Sequence, residues 1–283
     1  MPKGSPITLV ECELHELEQY SQALSAMKNE KCTAIIVRNA FSKVLMQKAC
    51  AQLASDKIQA QLKSPNQGMP GGELLTLGAA ATPTMTALNG PSSEVYIESA
   101  QHAQEWEKTI FGEVNVSSKV AEIISQLNQK KPAQAAPFQT DDLGDWLPFN
   151  YRILPPNTQI YAHHDMHYRL PIYDLLADGY NQQQLLSWFI TGQESLQGGE
   201  LILYGLRSDD PNPPILPSRF VDIAALEKDY YKQSLHLKVG DFVIFNSGLH
   251  VHRVSSVQQE QSRITFGGFA TFALDQSHMI YWS

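Results

Sequence analysis

The chain reads as an α+β protein, with a helix-rich first half set against a β-rich second half that closes as a sandwich or barrel. Three observations carry that reading. Apolar residues recur at helical spacing from Glu13 to Met27, where Leu14, Leu17, Leu24 and Met27 fall on one face. From Trp146 onward the pattern changes to short apolar runs separated by Gly, Pro and Asp turns. Closing two sheets on each other brings sequence-distant strand ends together, which would deliver His163, Asp165 and His252 to one metal.

Taken in order, Ile7 to Val10 reads as a short strand, Glu13 to Met27 as an amphipathic helix, and Thr33 to Arg38 as a buried strand. Ser42 suits the N-cap of a helix through Leu45, Cys50 and Leu53. The turn-rich stretch Ser64 to Gly72 reads as a loop, and Glu73 to Leu88 either as an edge strand with a surface loop or as a substrate lid. Ser93 to Phe111 and Ser117 to Leu127 read as helices, with Tyr96, Trp106 and Phe111 in the core. Gln129 to Asp142 reads as a connecting loop.

The second half gives strands at Phe149–Leu154, Gln159–His163, Leu185–Ile190, Glu200–Tyr204, Ser234–Lys238, Asp241–Asn246, His250–Val257 and Arg263–Phe272. A helical insertion is expected over Pro171 to Tyr180 and a proline-rich loop over Ser208 to Ser218. We divide a single domain, 1–283, into a mainly helical frame with a possible substrate lid (1–145) and a β core (146–283).

Composition narrows the function classes. The net charge is −8, with no Lys/Arg run longer than Lys130-Lys131, which argues against nucleic acid and anionic membrane surfaces as partners. Cys12, Cys32 and Cys50 lack metal-type spacing and read as reduced thiols of a cytoplasmic protein. No signal-peptide core and no apolar run of membrane-spanning length is present.

On a strand, residues two apart share a face, so His163 and Asp165 project together while His164 points away. A second imidazole completes a two-His, one-carboxylate set, which suits a non-heme Fe(II) site with open positions. Periodicity alone leaves His250 and His252 equivalent. Arg263, eleven residues after His252 on an apolar strand, needs an anionic partner. Thr265 and Tyr161 share the faces of Arg263 and His163, and each could reach the same anion. Arg152 is a further candidate for anion contact, with a structural ion pair as its plainer role; His164 and His167 read as surface or packing residues.

The segments His163-His-Asp165, Gly198-Gly-Glu-Leu201, Gly240-Asp-Phe-Val-Ile-Phe245, His252-Arg-Val-Ser-Ser-Val257 and Arg263-Ile-Thr265 resemble the iron- and 2-oxoglutarate-dependent dioxygenases. The tail from Phe266-Gly-Gly-Phe269 to Ile280-Tyr-Trp-Ser283 is similar to the branch holding the hapalindole/welwitindolinone-type halogenases and related small-molecule hydroxylases. The resemblance implies a double-stranded β-helix (jelly-roll, cupin-like) core with flanking N-terminal helices. It also implies Fe(II), 2-oxoglutarate and O2 as cofactor and co-substrates. His252, in His252-Arg-Val, matches the distal ligand motif, leaving His250 to the second sphere or rim. Arg263 would hold the far carboxylate of 2-oxoglutarate. Ser187 matches a serine of those halogenases, and Asp165 stands where they carry a glycine that leaves an iron position for chloride. Hydroxylation of an unactivated C–H bond of a small molecule, an amino-acid derivative or natural product, is therefore expected. The same oxidant serves desaturation, cyclisation and epimerisation, and a redox-inert metal isomerase or a non-catalytic metal-binding jelly roll are readings of other classes.

Overall fold

A computed structural model describes residues 2–65, 71–83 and 89–283. The parts of the expected loops at 66–70 and 84–88 lie outside the described residues. In chain order the first half contains β1 (Leu9–Glu13), α1 (Ala23–Lys28), β2 (Ala34–Arg38), α2 (Lys43–Leu53), α3 (Asp56–Gln59), β3 (Leu75–Leu77), α4 (Ser93–Gln101), α5 (Ala103–Phe111), α6 (Val116–Leu127) and β4 (Ala133–Ala135). The second half contains β5 (Asn150–Leu154), β6 (Ile160–His163), β7 (Leu186–Gln193), β8 (Leu201–Arg207), α7 (Ile223–Asp229), β9 (Lys232–Leu235), β10 (Phe242–Phe245), β11 (His250–Val254), β12 (Arg263–Phe272) and β13 (Met279–Trp282).

Two sheets face each other. The larger runs β1-β2-β10-β7-β12-β13-β4, with β5 also on β12 and β3 on β5; the smaller runs β6-β11-β8-β9. This is the jelly-roll core expected, and the N-terminal helices flank it. Helix α2 begins at Ser42, whose hydroxyl accepts from the Leu45 N–H as an N-cap should. It buries Met46, Ala49 and Leu53 against the outer face of the larger sheet, joined by Trp106, Ile110 and Phe111 of α5. The inner faces meet through Ala34, Ile36, Leu201, Leu203, Leu235, Val243 and Phe245. Leu226 of α7 covers the outer face of the smaller sheet with Ala162, Leu206 and Val251.

Several local expectations are corrected. The first strand lies at Leu9–Glu13, where it pairs in parallel with β2. Glu13 to Met27 is broken into a 3-10 turn (Leu14–Tyr20) and α1, because the Ser21 carbonyl accepts from the Gln129 N–H across the fold. The stretch Ser93 to Phe111 breaks at His102, whose ring nitrogen Nδ1 lies 2.8 Å from the Glu98 carbonyl. Part of the supposed connector forms β4, an edge strand whose backbone groups find partners on β13. The insertion at Pro171 shortens to a 3-10 turn over Pro171–Leu175, after which Leu176 and Tyr180 form bridges to Phe138 and Ala273. The strand placed at Ser234–Lys238 lies at Lys232–Leu235, since the Lys238 N–H is taken by the Asp241 carboxylate, 2.8 Å away, to close the turn. Helices α3 and α7 were not anticipated.

That turn shows why the Gly240-Asp241 pair belongs before an apolar strand. Gly240 has φ +89°, and a Cβ there would fall 2.1 Å from the Phe41 carbonyl oxygen. Asp241 is buried, yet it accepts from Arg38 Nη1 at 2.5 Å and from the Asn39 N–H at 3.1 Å. It ties β10 to β2 and is structural.

Candidate metal centre

The site grows from two strands of the smaller sheet. Strand β11 pairs with β6 so that His252 stands directly opposite His163, and their rings lie 4.4 Å apart. The chain leaves β6 after His163, and the Asp165 N–H donates to the Ser247 carbonyl at 2.9 Å. That bond pins the segment to the corner between β10 and β11 and turns the carboxylate inward. His163 Nε2 lies 3.3 Å from Asp165 Oδ1, and His252 Nε2 lies 3.5 Å from Oδ2. The candidate ligand atoms of all three residues lie within 4.8 Å of one another.

Hydrogen bonds set the two imidazoles. His163 Nδ1 lies 2.6 Å from the Tyr161 carbonyl, and His252 Nδ1 lies 3.1 Å from the His250 carbonyl. A carbonyl only accepts, so each ring carries its proton on Nδ1 and presents a bare Nε2 toward Asp165. Two neutral imidazole nitrogens and a carboxylate on one side of a hollow fit a ferrous ion that keeps positions open for other ligands. Burial pushes the His252 imidazole down to about 4, which keeps it neutral and able to ligate. Burial works to raise the Asp165 carboxyl, but the two imidazoles beside it, His252 and His163, outweigh it and hold the group well below the usual carboxylate range. For His163 burial works downward, and the Asp165 carboxylate reverses it to a net upward shift, so a proton competes with a metal for its Nε2.

Ser187 on β7 closes the back of the site. Its hydroxyl donates to Asp165 Oδ2 at 2.5 Å, crossing from the larger sheet to the segment after β6. Phe245, paired with Ser187 in the sheet, packs edge-on to the His252 ring at 5.0 Å.

Arg263 opens β12 and is 8 % exposed. Its guanidinium carbon lies 4.9 Å from the centre of the Phe189 ring. Among the described residues it makes no hydrogen bond or ion pair, and burial together with the nearby Arg152 pushes its pKa down to about 10. Gly199 makes room for it: a Cβ there would sit 3.2 Å from Arg263 Cδ. Arg263 borders a cavity of about 190 Å³ shared with Thr191, Gly199, Leu201 and Leu235. His163 and His164 border another of about 330 Å³, lined also by Ile215 of the proline-rich loop and by Arg219 and Phe220 just after it.

The remaining candidates divide. Thr265 is buried and looks inward between Arg152 on β5 and Thr191 on β7. The Tyr161 ring packs against Phe220 at 5.3 Å, and its hydroxyl has no hydrogen bond among the described residues. His164 is exposed. His250 is buried with Nδ1 3.2 Å from the Tyr204 carbonyl; its side chain is not at the rim, and it serves the centre through its own carbonyl. His167 packs edge-on to Phe269 at 4.9 Å. Arg152 has no ion pair among the described residues; its Nε donates to Asn150 Oδ1 at 2.8 Å, which corrects the ion-pair expectation. The sequence reading missed Phe189 and Phe245. Strict alternation along β7 from Ser187 was the available signal for Phe189, since the two share a face.

A family model described as the carrier-protein-independent halogenase WelO5 matches residues 6–283. Among solved structures, the chain is similar to the non-heme alpha-ketoglutarate-dependent carbocyclase SnoK from nogalamycin biosynthesis, at 12% identity over 99% of this chain and 90% of that one, TM-score 0.54. It is also similar to an N-substituted L-amino acid dioxygenase from Burkholderia ambifaria AMMD in complex with alpha-KG, at 14% identity over 92% and 90%, TM-score 0.53. A third is the alpha-ketoglutarate-dependent epimerase SnoN of nogalamycin biosynthesis, at 10% identity over 91% and 85%, TM-score 0.52. At these identities the likeness is one of fold. No curated protein matches the sequence.

Proposed function

The chain belongs to the family of the carrier-protein-independent halogenase WelO5, within the iron- and 2-oxoglutarate-dependent oxygenases, and we propose that it hydroxylates an unactivated C–H bond of a small molecule. Fe(II) and 2-oxoglutarate are the cofactor and co-substrate that this donor set and fold accept, with O2 as the oxidant. When bound, they supply an oxidant strong enough for an aliphatic C–H bond, with succinate and CO2 as the other products.

The observation that carries hydroxylation over halogenation is Asp165. Its carboxylate lies between the two imidazole Nε2 atoms and is held there by Ser187. A carboxylate in that place fills a ligand position, and its charge disfavours a halide beside it. His163, Asp165 and His252 would thus take three positions on the metal and leave three for the co-substrate and O2. Arg263 binds the far carboxylate of 2-oxoglutarate as a planar fork, which fixes direction as well as charge. Thr265 lies on the same face and would line that pocket; Tyr161 and Phe220 form an aromatic wall near His163. The surrounding apolar faces exclude water and hold the substrate over the metal.

The whole chain works as one domain in this reading, residues 1–145 serving as frame and lid for the core at 146–283. The substrate class we favour is an amino-acid derivative or natural product, free of any nucleic acid or membrane partner. Among the described residues no helix is long and apolar enough to cross a membrane. Cyclisation and epimerisation, named for SnoK and SnoN, would use the same oxidant.

The test is a substrate-panel screen with Fe(II), 2-oxoglutarate and O2, following succinate and product mass. Succinate formation that depends on iron and on one class of small molecule is expected. Turnover sustained by Zn(II), or without 2-oxoglutarate, would contradict the proposal.

A further inference from the structure

The cavity of about 330 Å³ beside His163 is built at the β6 edge of the smaller sheet. Its floor is apolar, from Ala162 on β6, Leu206 on β8 and Val251 on β11. Its outer wall is a hairpin in the insertion between β8 and β9, where Ile215 bridges to Val221. Phe220 of that hairpin packs on the Tyr161 ring at 5.3 Å. Tyr161 shares the face of His163 and Ala162 takes the other, so Phe220 spans the edge of β6. His163 itself borders the cavity, and a molecule lodged there lies against a metal ligand.

The tip of the hairpin is stiff. Pro217 takes the first central position of the turn Leu216-Pro-Ser-Arg219, which the Arg219 N–H closes on the Leu216 carbonyl at 2.9 Å. The Leu216 N–H donates to the Phe220 carbonyl at 2.9 Å, and the Asp222 N–H to the Pro214 carbonyl at 2.7 Å. Arg219 has φ +67°, the left-handed place that hairpins of this kind commonly give to glycine. What an arginine adds there is its side chain, and it borders the cavity.

The charge of the lining runs against that of the chain. The chain carries 29 Asp and Glu against 21 Lys and Arg. The lining holds Arg207, Arg219, His163 and His164 and, among the described residues, no carboxylate. Arg207 is already engaged, with Nη1 2.7 Å from the Glu30 carboxylate and Nε 2.9 Å from that of Asp209. Arg219 is exposed, and its side chain makes no hydrogen bond or ion pair among the described residues. The other carboxylates of this insertion nearest to it in sequence serve their own turns: Asp210 accepts from the Asn212 N–H at 2.9 Å, and Asp222 from the Ala225 N–H at 3.1 Å. An apolar hollow with one free guanidinium beside it fits a molecule with an apolar body and a single planar anion.

We propose that the substrate is a monocarboxylate with an apolar body, that this cavity holds its anionic end, and that Arg219 binds the carboxylate. The assignment rests on the oxygenase reading above and narrows its substrate class. The guanidinium fork pairs with both carboxylate oxygens, which fixes where the anionic end lies relative to His163. Phe220 and Tyr161 lead the apolar body round the edge of β6 toward the metal ligands.

Matched acids and amides test this: the N-acetyl derivatives of tryptophan, phenylalanine and leucine, each against its primary amide. They are titrated anaerobically by calorimetry into the full chain with Fe(II) and 2-oxoglutarate present. At least one acid is expected to bind about 10-fold more tightly than its amide, the lower end for a charge-assisted pair because Arg219 meets solvent. Arg219→Gln brings that acid to the level of its amide and leaves the affinities for the amide, Fe(II) and 2-oxoglutarate at wild type. Arg219→Lys, which keeps the charge and loses the fork, falls between. With O2 the same acid stimulates succinate formation, and Arg219→Gln raises its KM with kcat retained. Acids bound no better than amides, or bound equally by Arg219→Gln, overturn the inference. So does an acid that binds through Arg219 without stimulating succinate formation while an uncharged compound stimulates it, since the site would then lie apart from the substrate's. In each of these cases succinate formed from any compound of the wider panel leaves the oxygenase reading standing. No succinate from any of them overturns that reading, and this inference with it.

Discussion

Replacing Ser187 by alanine removes one hydrogen bond from the candidate centre and leaves the backbone pairing of β7 with β10 and β12 in place. The lost bond is the 2.5 Å contact from the Ser187 hydroxyl to Asp165 Oδ2, made to a carboxylate that is 7 % exposed. Hydrogen bonds to charged groups contribute about 1.5–3 kcal/mol. At roughly 1.4 kcal/mol per tenfold in binding, that is about 10–100-fold in metal affinity, the range in which second-sphere partners usually act. Solvent cannot readily replace the hydroxyl, because Phe245 and the His252 ring occupy the neighbouring space. The assay is an anaerobic competition titration of Fe(II), with Co(II) as a redox-stable check, on wild type, Ser187→Ala and Ser187→Thr. Ser187→Thr keeps a hydroxyl and should recover much of the loss. Equal affinity in all three proteins, with unchanged thermal midpoints, would refute the claim that Ser187 positions Asp165.

Other outcomes follow from the same geometry. His252→Ala should abolish metal-dependent turnover and strongly weaken metal binding; retained activity there, with loss in His250→Ala, would reverse the ligand assignment. Arg263→Ala should raise the 2-oxoglutarate requirement by at least about 100-fold, since removing the partner of a desolvated charge costs about 3–5 kcal/mol, while metal affinity stays near wild type. Glu227 gives a pH dependence: burial works to raise its carboxyl, but Lys232, Tyr204 and Arg253 outweigh that and bring it to about 2. A folded value depressed below the unfolded one, about 4.3, means that its stability contribution is present above that pH and is lost as pH falls toward 2. Glu227→Gln should therefore show a shallower loss of stability in acid than wild type; identical acid unfolding curves would count against it.

The candidate metal centre was legible in outline. Alternation paired His163 with Asp165, but β6 ends at His163 and the bond from the Asp165 N–H to the Ser247 carbonyl is what turns the carboxylate inward; the strand-plus-turn pattern after Trp146 announced the sheets that bring His252 across. The choice between His250 and His252 was not available from periodicity, because a bulge falls between them in the pairing of β11 with β8. Alternation along β11 makes the two equivalent, and the slip, which sets Tyr204, Gly205 and Leu206 of β8 against Val251 alone, cannot be read from β11. Arg152 was misjudged for another reason. Ion pairs are long-range facts, and nothing in Asn150-Tyr-Arg152 says that no carboxylate will face it. The helix expected over Glu13 to Met27 broke where the Ser21 carbonyl was taken by the distant Gln129 N–H. Strand β4 formed because β13 left an edge to be covered. None of these is encoded within a window of a dozen residues.

The central claim is that a carboxylate at position 165 makes this member of a halogenase family a hydroxylase. The direct test is to run the enzyme on a substrate found by the panel, with isotopically labelled O2 and excess chloride or bromide, and to weigh the product. The account predicts a product carrying one labelled oxygen and no halogen, and loss of most of that product in Asp165→Gly. A predominantly halogenated product from the unmodified protein would contradict it.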